Sequence, residues 1–270
     1  MFLVCEKLNM AIVKIKGGLG NQMFQYAHGR KLELKGKKVV FDISFFHGAK
    51  ANSDTPREFN LSAFNIATQA EFSPRPRRLR DLLTKIAGKI GVRIEQYFQG
   101  EKYFQEISGE LRKEFTLKNG LSPVAREILK QIENPNSVSL HVRRGDYVND
   151  KKIKDNRNIC GLEYYRQAMA RIQEKVNNAK FFVFSDEIDW AKENFIGEEF
   201  VFVSSPELKE YEEMILMSRS AHHIIANSSF SWWGAWLGQN NNKIVIAPSR
   251  WLLDSRVDTS DIIPKDWIKI

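Results

Sequence analysis

Two arginines, a histidine and an aspartate fall within six residues at the end of a strand-like stretch of the sequence. They are His141, Arg143, Arg144 and Asp146, and the stretch is Ser137–Val142. Strand alternation places His141 and Arg143 on one face and Arg144 on the other. A guanidinium grips a diphosphate with paired hydrogen bonds and a charge that does not titrate away. We predict that one arginine binds phosphate and the other is structural; the alternative is an Arg–Asp network that only closes the strand.

A second group combines small polar residues with three tryptophans. The polar part follows the strand-like run His222–Ala226 and comprises Asn227, Ser228, Ser229, Phe230 and Ser231. Free N–H groups at a helix start form an anion site, which the hydroxyls extend. Phe230 can pack on a nucleotide or a sugar. We interpret Trp232, Trp233 and Trp236 as core anchors.

Two carboxylates follow another apolar run, Lys180–Phe184. Asp186 or Glu187 can accept two hydrogen bonds from a guanine edge. The alternative is that Ser185 or Asp186 only caps the helix predicted to begin near Ile188, since these residue types are favoured there.

The glycine-rich segment 17–22 connects a predicted strand to a predicted helix. It lacks the third glycine of the dinucleotide fingerprint and the ending of a P-loop. We expect a flexible turn at Gly18 that brings a ligand close to the helix start, with Asn21 and Gln22 offering amide contacts. The alternative is a plain strand–helix turn capped by Asn21.

Metal-binding patterns are missing from the sequence. It contains no Asp-x-Asp pair, and its 5 histidines have no metal-ligand spacing. We therefore predict no metal and no cofactor. A departing diphosphate would be stabilised by arginine and by helix N-termini alone.

Composition argues for a folded protein with an anionic partner. The 270 residues are 43% hydrophobic and 11% aromatic, which excludes a disordered chain. The net charge of +8 suits a phosphate-bearing partner, although a non-enzymatic module that binds nucleic acid or anionic surfaces is an alternative. Against that alternative, the basic residues are not interleaved with exposed aromatics and no nucleic-acid motif occurs.

The apolar start of the chain is too short for a signal peptide or a membrane span, so we expect a soluble, cytoplasmic protein. A basic cluster, Arg75, Arg77, Arg78 and Arg80, is interpreted as a solvated loop. The alternative is peripheral contact with the inner face of the membrane.

Strand and helix patterns alternate, most clearly after residue 125. This order is typical of a doubly wound α/β fold with parallel sheets. We predict two Rossmann-like domains, 1–125 and 126–270. The stretch 43–121 has no clear pattern. Predicted elements of the second domain are strands at 137–142, 180–184, 200–203, 222–226 and 243–247, and helices at 162–176, 188–194, 207–217 and 230–237.

Taken together, these blocks resemble a known family. Segments 17–27, 141–147 and 226–237 resemble signature blocks of the family 11 glycosyltransferases, the α-1,2-fucosyltransferases, and 181–190 resembles a fourth. The blocks occur in family order across nearly the whole chain. One departure is Glu213, where the family pattern leads us to expect an aspartate.

The resemblance implies a GT-B-like fold, in which two Rossmann-like domains face each other across a cleft. Domain 1–125 would lie on the acceptor side and domain 126–270 would bind the nucleotide-sugar. Gly18, Asn21 and Gln22 would face the acceptor or the cleft. The resemblance further implies GDP-β-L-fucose as donor, no metal and inversion at the anomeric carbon. The acceptor would be a sugar hydroxyl, commonly the 2-OH of a terminal galactose in an oligosaccharide that can be lipid-linked, as in bacterial surface-polysaccharide (O-antigen) synthesis. An alternative is a related GT-B enzyme that uses another nucleotide-sugar.

The resemblance also implies residue roles. Arg143 would bind the β-phosphate, Asp186 or Glu187 would lie near the guanine, and Ser229–Ser231 near the diphosphate. For the base that inversion requires, Asp146 is our leading candidate, with Asp150 and Glu187 as alternatives. Asn21 would orient the acceptor.

Overall fold

The computed structural model describes residues 10–47, 57–74, 92–94, 96–145 and 159–270. The chain divides into two compact units, Met1–Lys118 and Asn119–Ile270. The division falls a few residues before the predicted boundary at 125. The helix that begins at Pro123 belongs with the second unit, because the N–H of Ser122 donates to Glu212 over 2.7 Å.

The first unit contains a four-stranded sheet. Its strands are β1 (Met10–Lys14), β2 (Lys38–Asp42), β3 (Glu71–Ser73) and β4 (Val92–Ile94). They lie in the order β3-β2-β1-β4, and every pair is parallel. Helices α1 (Leu19–Leu34) and α2 (Ser108–Glu114) accompany the sheet, with short 3-10 turns.

The turn from β1 into α1 differs from the prediction. Gly18 is the N-cap of α1, and Asn21 lies within the first helical turn, so the expected capping by Asn21 is wrong. Gly17 has a φ of +81°, which favours glycine and lets the chain reverse within two residues. The helix therefore begins at Leu19, two residues before Asn21.

A buried carboxylate ties α1 to α2. Glu114 accepts a hydrogen bond of 2.5 Å from the hydroxyl of Tyr26 and one of 2.9 Å from Nε of Arg30. The side chain of Glu114 is only 5% exposed. A buried charge needs such partners, because desolvation without them is costly.

The second unit contains a six-stranded sheet. Its strands are β5 (Ser137–Val142), β6 (Lys180–Ser185), β7 (Phe200–Phe202), β8 (His222–Ile224), β9 (Val245–Ala247) and β10 (Ile268–Lys269). Its helices are α3 (Pro123–Ile132), α4 (Leu162–Gln173), α5 (Ile188–Asn194), α6 (Glu210–Arg219) and α7 (Ser229–Leu237).

All strand pairs of this sheet are parallel, in the order β10-β9-β8-β5-β6-β7. Numbered from the first strand of the unit, this is the order 3-2-1-4-5-6 of a Rossmann fold. The first sheet repeats the 3-2-1-4 part. The predicted α/β class with two Rossmann-like, parallel-sheet halves is confirmed.

The core of the second unit explains its continuous apolar runs. All six residues of β5 are buried, because helices cover both faces of a parallel sheet. Trp232 and Trp233 have no exposed surface and Trp236 is 3% exposed, so these residues are the core anchors that we predicted. No helix among the described residues is long and apolar enough to span a membrane.

Candidate nucleotide-sugar site

The strand order of the second sheet locates its ligand-binding edge. Strands β5 and β8 are neighbours, and the chain leaves them toward opposite sides of the sheet. In open α/β sheets, ligands bind outside the carboxyl ends of the strands at such a switch point. The segment that follows β5 begins with Arg143, and the segment that follows β8 leads to Ser228. Two of the predicted clusters therefore flank one crevice edge.

The register between β5 and β6 pairs the two arginines with two carboxylates. Val142 lies opposite Ser185, so Arg143 and Arg144 continue toward Asp186 and Glu187. Nη1 of Arg143 lies 3.0 Å from Oδ2 of Asp186, and Nε of Arg144 lies 3.0 Å from Oε2 of Glu187. The structure thus brings the arginine cluster and the carboxylate cluster together as two successive ion pairs.

Asp186 organises the start of the loop after β5. Its Oδ1 accepts the backbone N–H of Arg144 at 2.9 Å, while its Oδ2 faces the Arg143 guanidinium. A side chain on Gly145 would bring a Cβ to 2.5 Å from Oδ2 of Asp186. Glycine at this position therefore lets the carboxylate approach the loop without being displaced. The alternative that Ser185 or Asp186 caps α5 is wrong, because Glu187 is the N-cap and none of the described side chains caps the helix. Ser185 instead accepts the N–H of Glu187 with its Oγ at 3.0 Å.

The two arginines have different surroundings. The guanidinium carbon of Arg144 lies 3.8 Å from the ring centroid of Trp190, in addition to its ion pair with Glu187. Arg144 is thereby held by an aromatic face and a carboxylate. This arrangement fits the prediction that one arginine is structural, and it leaves Arg143 as the candidate for phosphate.

His141 is buried and neutral at physiological pH. It is 5% exposed, and burial together with the Arg143 charge lowers its pKa to about 3. Its ring centroid lies 5.7 Å from that of Phe230, so β5 and the start of α7 meet here. Among the described residues, Nδ1 of His141 has no hydrogen-bond partner. A buried polar atom of this kind is suited to a ligand contact.

The polar group Asn227–Ser231 divides into a structural and an open part. Ser228 is the N-cap of α7 and accepts the N–H of Phe230 at 3.3 Å. Asn227 donates to the carbonyl of Trp251, and Ser231 donates to the carbonyl of Ser228. Ser229 and Phe230 are partly exposed at the helix start. The residues that can face a ligand are thus Ser229 and Phe230, at the positive end of the helix dipole.

A further carboxylate reaches this edge from α6. Oε2 of Glu213 accepts a 3.0 Å hydrogen bond from Ser204, whose hydroxyl in turn accepts the N–H of Ser185. Burial, with the charges of Glu210 and Asp186, raises the pKa of Glu213 to about 7. Glu213 was noted in the sequence only as a departure from the family pattern, and its contact depends on the packing of α6.

The first unit places its predicted residues at the turn into α1. Oδ1 of Asn21 accepts from Nε2 of Gln99 at 2.8 Å. Gln22 is fully buried: its amide donates to the carbonyls of Gly17 and Glu58, and its oxygen accepts the N–H of Asn60. Gln22 therefore fastens this turn to the following loop. Gly18 lies beside the guanidinium of Arg57.

Several predicted residues lie outside the described ranges. These are Asp146 and Asp150, and also the basic cluster Arg75, Arg77, Arg78 and Arg80. Within the described part of the chain, no group of three or more histidine, cysteine or acidic side chains is placed to hold a metal ion.

Each of the two units has a parallel sheet of Rossmann-like strand order, and the fold class is GT-B. The same fold occurs in the crystal structure of NodZ alpha-1,6-fucosyltransferase soaked with GDP-fucose, which matches with a TM-score of 0.50 at 16% identity over 86% of this chain and 93% of that one. The family model of glycosyl transferase family 11 matches residues 58–270. The chain belongs to this family.

Curated relatives agree with this assignment. An alpha-1,2-colitosyltransferase of Escherichia coli is 34% identical over 97% of this chain and 99% of its own length. The O-antigen biosynthesis glycosyltransferase WbnK of Escherichia coli is 29% identical over 95% and 99%. Galactoside alpha-(1,2)-fucosyltransferase 1 of Aotus azarae is 25% identical over 82% of this chain and 63% of its own length.

Proposed function

We propose that the chain transfers L-fucose from GDP-β-L-fucose to a sugar hydroxyl, with inversion and without a metal ion. The acceptor is a galactose-containing oligosaccharide of a surface glycan, attacked through the 2-OH of terminal galactose. The observation that carries the proposal is the position of Arg143, which follows β5 at the switch point and lies at the edge where α7 also begins.

In this proposal the site acts mainly on the leaving group. Cleavage of the glycosidic bond leaves negative charge on the β-phosphate of GDP. The Arg143 guanidinium and the first N–H groups of α7 stabilise that charge as it develops. His141 is neutral, so it can offer a hydrogen bond without adding charge to the donor site.

The acceptor hydroxyl must lose a proton as it attacks. We assign this proton to Asp146, which lies two residues after Arg144 in the sequence. Glu187 is the weaker candidate, because its carboxylate is paired with Arg144. Asn21 would orient the acceptor, and its amide is already held by Gln99.

A second donor must be tested because the relatives differ in the sugar that their names specify. One is a colitosyltransferase and another a fucosyltransferase, and both names specify a 1,2 linkage. Colitose is the 3-deoxy counterpart of L-fucose. A site for fucose would contact the 3-OH with a polar group, and a site for colitose would leave that position apolar.

The deciding experiment compares GDP-fucose and GDP-colitose as donors, with a galactoside acceptor and EDTA in every reaction. The proposal predicts acceptor-dependent release of GDP from GDP-fucose, a higher kcat/KM than with GDP-colitose, and a 1,2-linked product. A higher kcat/KM with GDP-colitose would overturn the fucose assignment but keep the reaction. Activity that EDTA abolishes and a divalent cation restores would overturn metal independence.

A further inference from the structure

We propose that Trp190 is a positioning residue for donor binding, acting on Arg143 through Arg144 and Asp186. The inference rests on the proposed function, in which Arg143 holds the donor diphosphate. Trp190 lies on α5, outside the four clusters that the sequence singled out.

The indole of Trp190 is held in place by the hydrophobic core of the second unit. Its ring meets that of Phe195 edge-on at 6.2 Å between centroids. The amide of Asn194 donates to its carbonyl at 2.8 Å, which fixes the end of the short helix. The ring is therefore a rigid surface rather than a mobile side chain.

Arg144 lies on that surface. Its guanidinium carbon is 3.8 Å from the ring centroid, while Nε donates to Glu187 at 3.0 Å. The ring face attracts the cation, and the carboxylate fixes its rotation in the plane. Together they remove most of the freedom of a long side chain that is 24% exposed.

Because its side chain is held, Arg144 also keeps its backbone N–H in place. That N–H positions Asp186, and Asp186 in turn positions Arg143. The N–H of Arg144 donates to Oδ1 of Asp186 at 2.9 Å, and the other oxygen lies 3.0 Å from Nη1 of Arg143. Without the indole, Arg144 regains rotational freedom and the loop start can shift. A guanidinium that is less preorganised binds phosphate more weakly, because part of the binding free energy is then spent on ordering its side chain.

The test measures the binding of GDP and of guanosine by calorimetry in the full-length protein. Trp190→Leu should weaken GDP about tenfold, or about 1.4 kcal/mol, and leave guanosine unchanged, since guanosine has no phosphate. Trp190→Phe keeps an aromatic face and should restore GDP affinity to within about threefold of wild type. Arg144→Lys, which removes the planar group from the ring, should reproduce the loss even if Trp190→Leu does not fold.

Two controls separate positioning from general stability. Phe181→Leu removes a buried ring of the same core, at the opposite end of β6 from Asp186, and should lower Tm while GDP affinity stays unchanged. In an Arg143→Lys background, Trp190→Leu should add no further loss, because both changes act on one contact.

Equal weakening of GDP and guanosine, or unchanged GDP affinity in both Trp190→Leu and Arg144→Lys, would overturn the positioning role. Wild-type protein that binds no GDP would instead overturn the proposed function itself.

Discussion

The carboxylate of Glu213 should make the stability of the second unit depend on pH. Its pKa is raised from 4.5 to about 7, chiefly by burial, although the hydrogen bond from Ser204 opposes the shift. The folded state therefore holds a proton that the unfolded chain releases near pH 4.5. The resulting stabilisation is fully present below pH 4.5 and is lost as the pH rises through about 7.

The size of the effect follows from the two pKa values. The difference between 4.5 and about 7 corresponds to at most about 3–4 kcal/mol, since one pKa unit is worth about 1.4 kcal/mol. Glu213→Gln keeps an acceptor for Ser204 and cannot ionise. Relative to wild type, we expect the variant to gain stability as the pH rises from 5 to 8.

Tryptophan fluorescence is the suitable assay. All 6 tryptophans lie in the second unit, so urea unfolding followed by fluorescence reports that unit. The difference in the free energy of unfolding between variant and wild type is measured at several pH values. In this difference the contributions of the other titrating groups cancel. Glu207→Gln makes the same charge change at an exposed position and should give a flat difference. A flat difference for Glu213→Gln as well would refute the reasoning.

Two further predictions concern the base and the first unit. Asp146→Asn should abolish fucose transfer and leave GDP binding intact; undiminished turnover would dismiss Asp146 as the base. Glu114→Ala should destabilise the first unit by about 3–5 kcal/mol, because it leaves Tyr26 and Arg30 without their buried partner. Hydrogen exchange measures this loss, with exposed Glu110→Ala as control, and a cost below about 1 kcal/mol would contradict it.

Much of the second unit could be predicted from sequence alone. Strand β5 is six residues of buried chain, and β6 follows the same pattern, so local hydrophobicity identifies both. Helix α5 has the predicted bounds, whereas α6 begins three residues later than expected, at Glu210. Helix ends depend on capping contacts, which several neighbouring residues can supply.

The first unit was harder to predict. Strands β3 and β4 have three residues each, too few for a periodic pattern, and they lie within the stretch 43–121. They are recognisable only because they pair with β2 and β1. Pairing between distant segments is decided by tertiary packing rather than local propensity.

The residues of the site could be predicted from the sequence, but the contacts between them could not. The clusters at Arg143 and Ser228 were placed at strand ends, and the topology brings them to one switch point. Their partners depend on which strands are neighbours: Arg143 meets Asp186 only because β5 pairs with β6 in one register. The stacking of Arg144 on Trp190 likewise has no local signal.

The most direct test of the account is the affinity of Arg143→Ala for GDP. A charge-assisted contact to phosphate is worth about 1.5–3 kcal/mol, so GDP should bind about 10–150 times more weakly while guanosine is unaffected. Arg166→Ala removes the same charge from an exposed position on α4 and serves as control. Loss of GDP affinity in Arg143→Ala alone would support the switch-point site. Unchanged GDP affinity in that variant would contradict it.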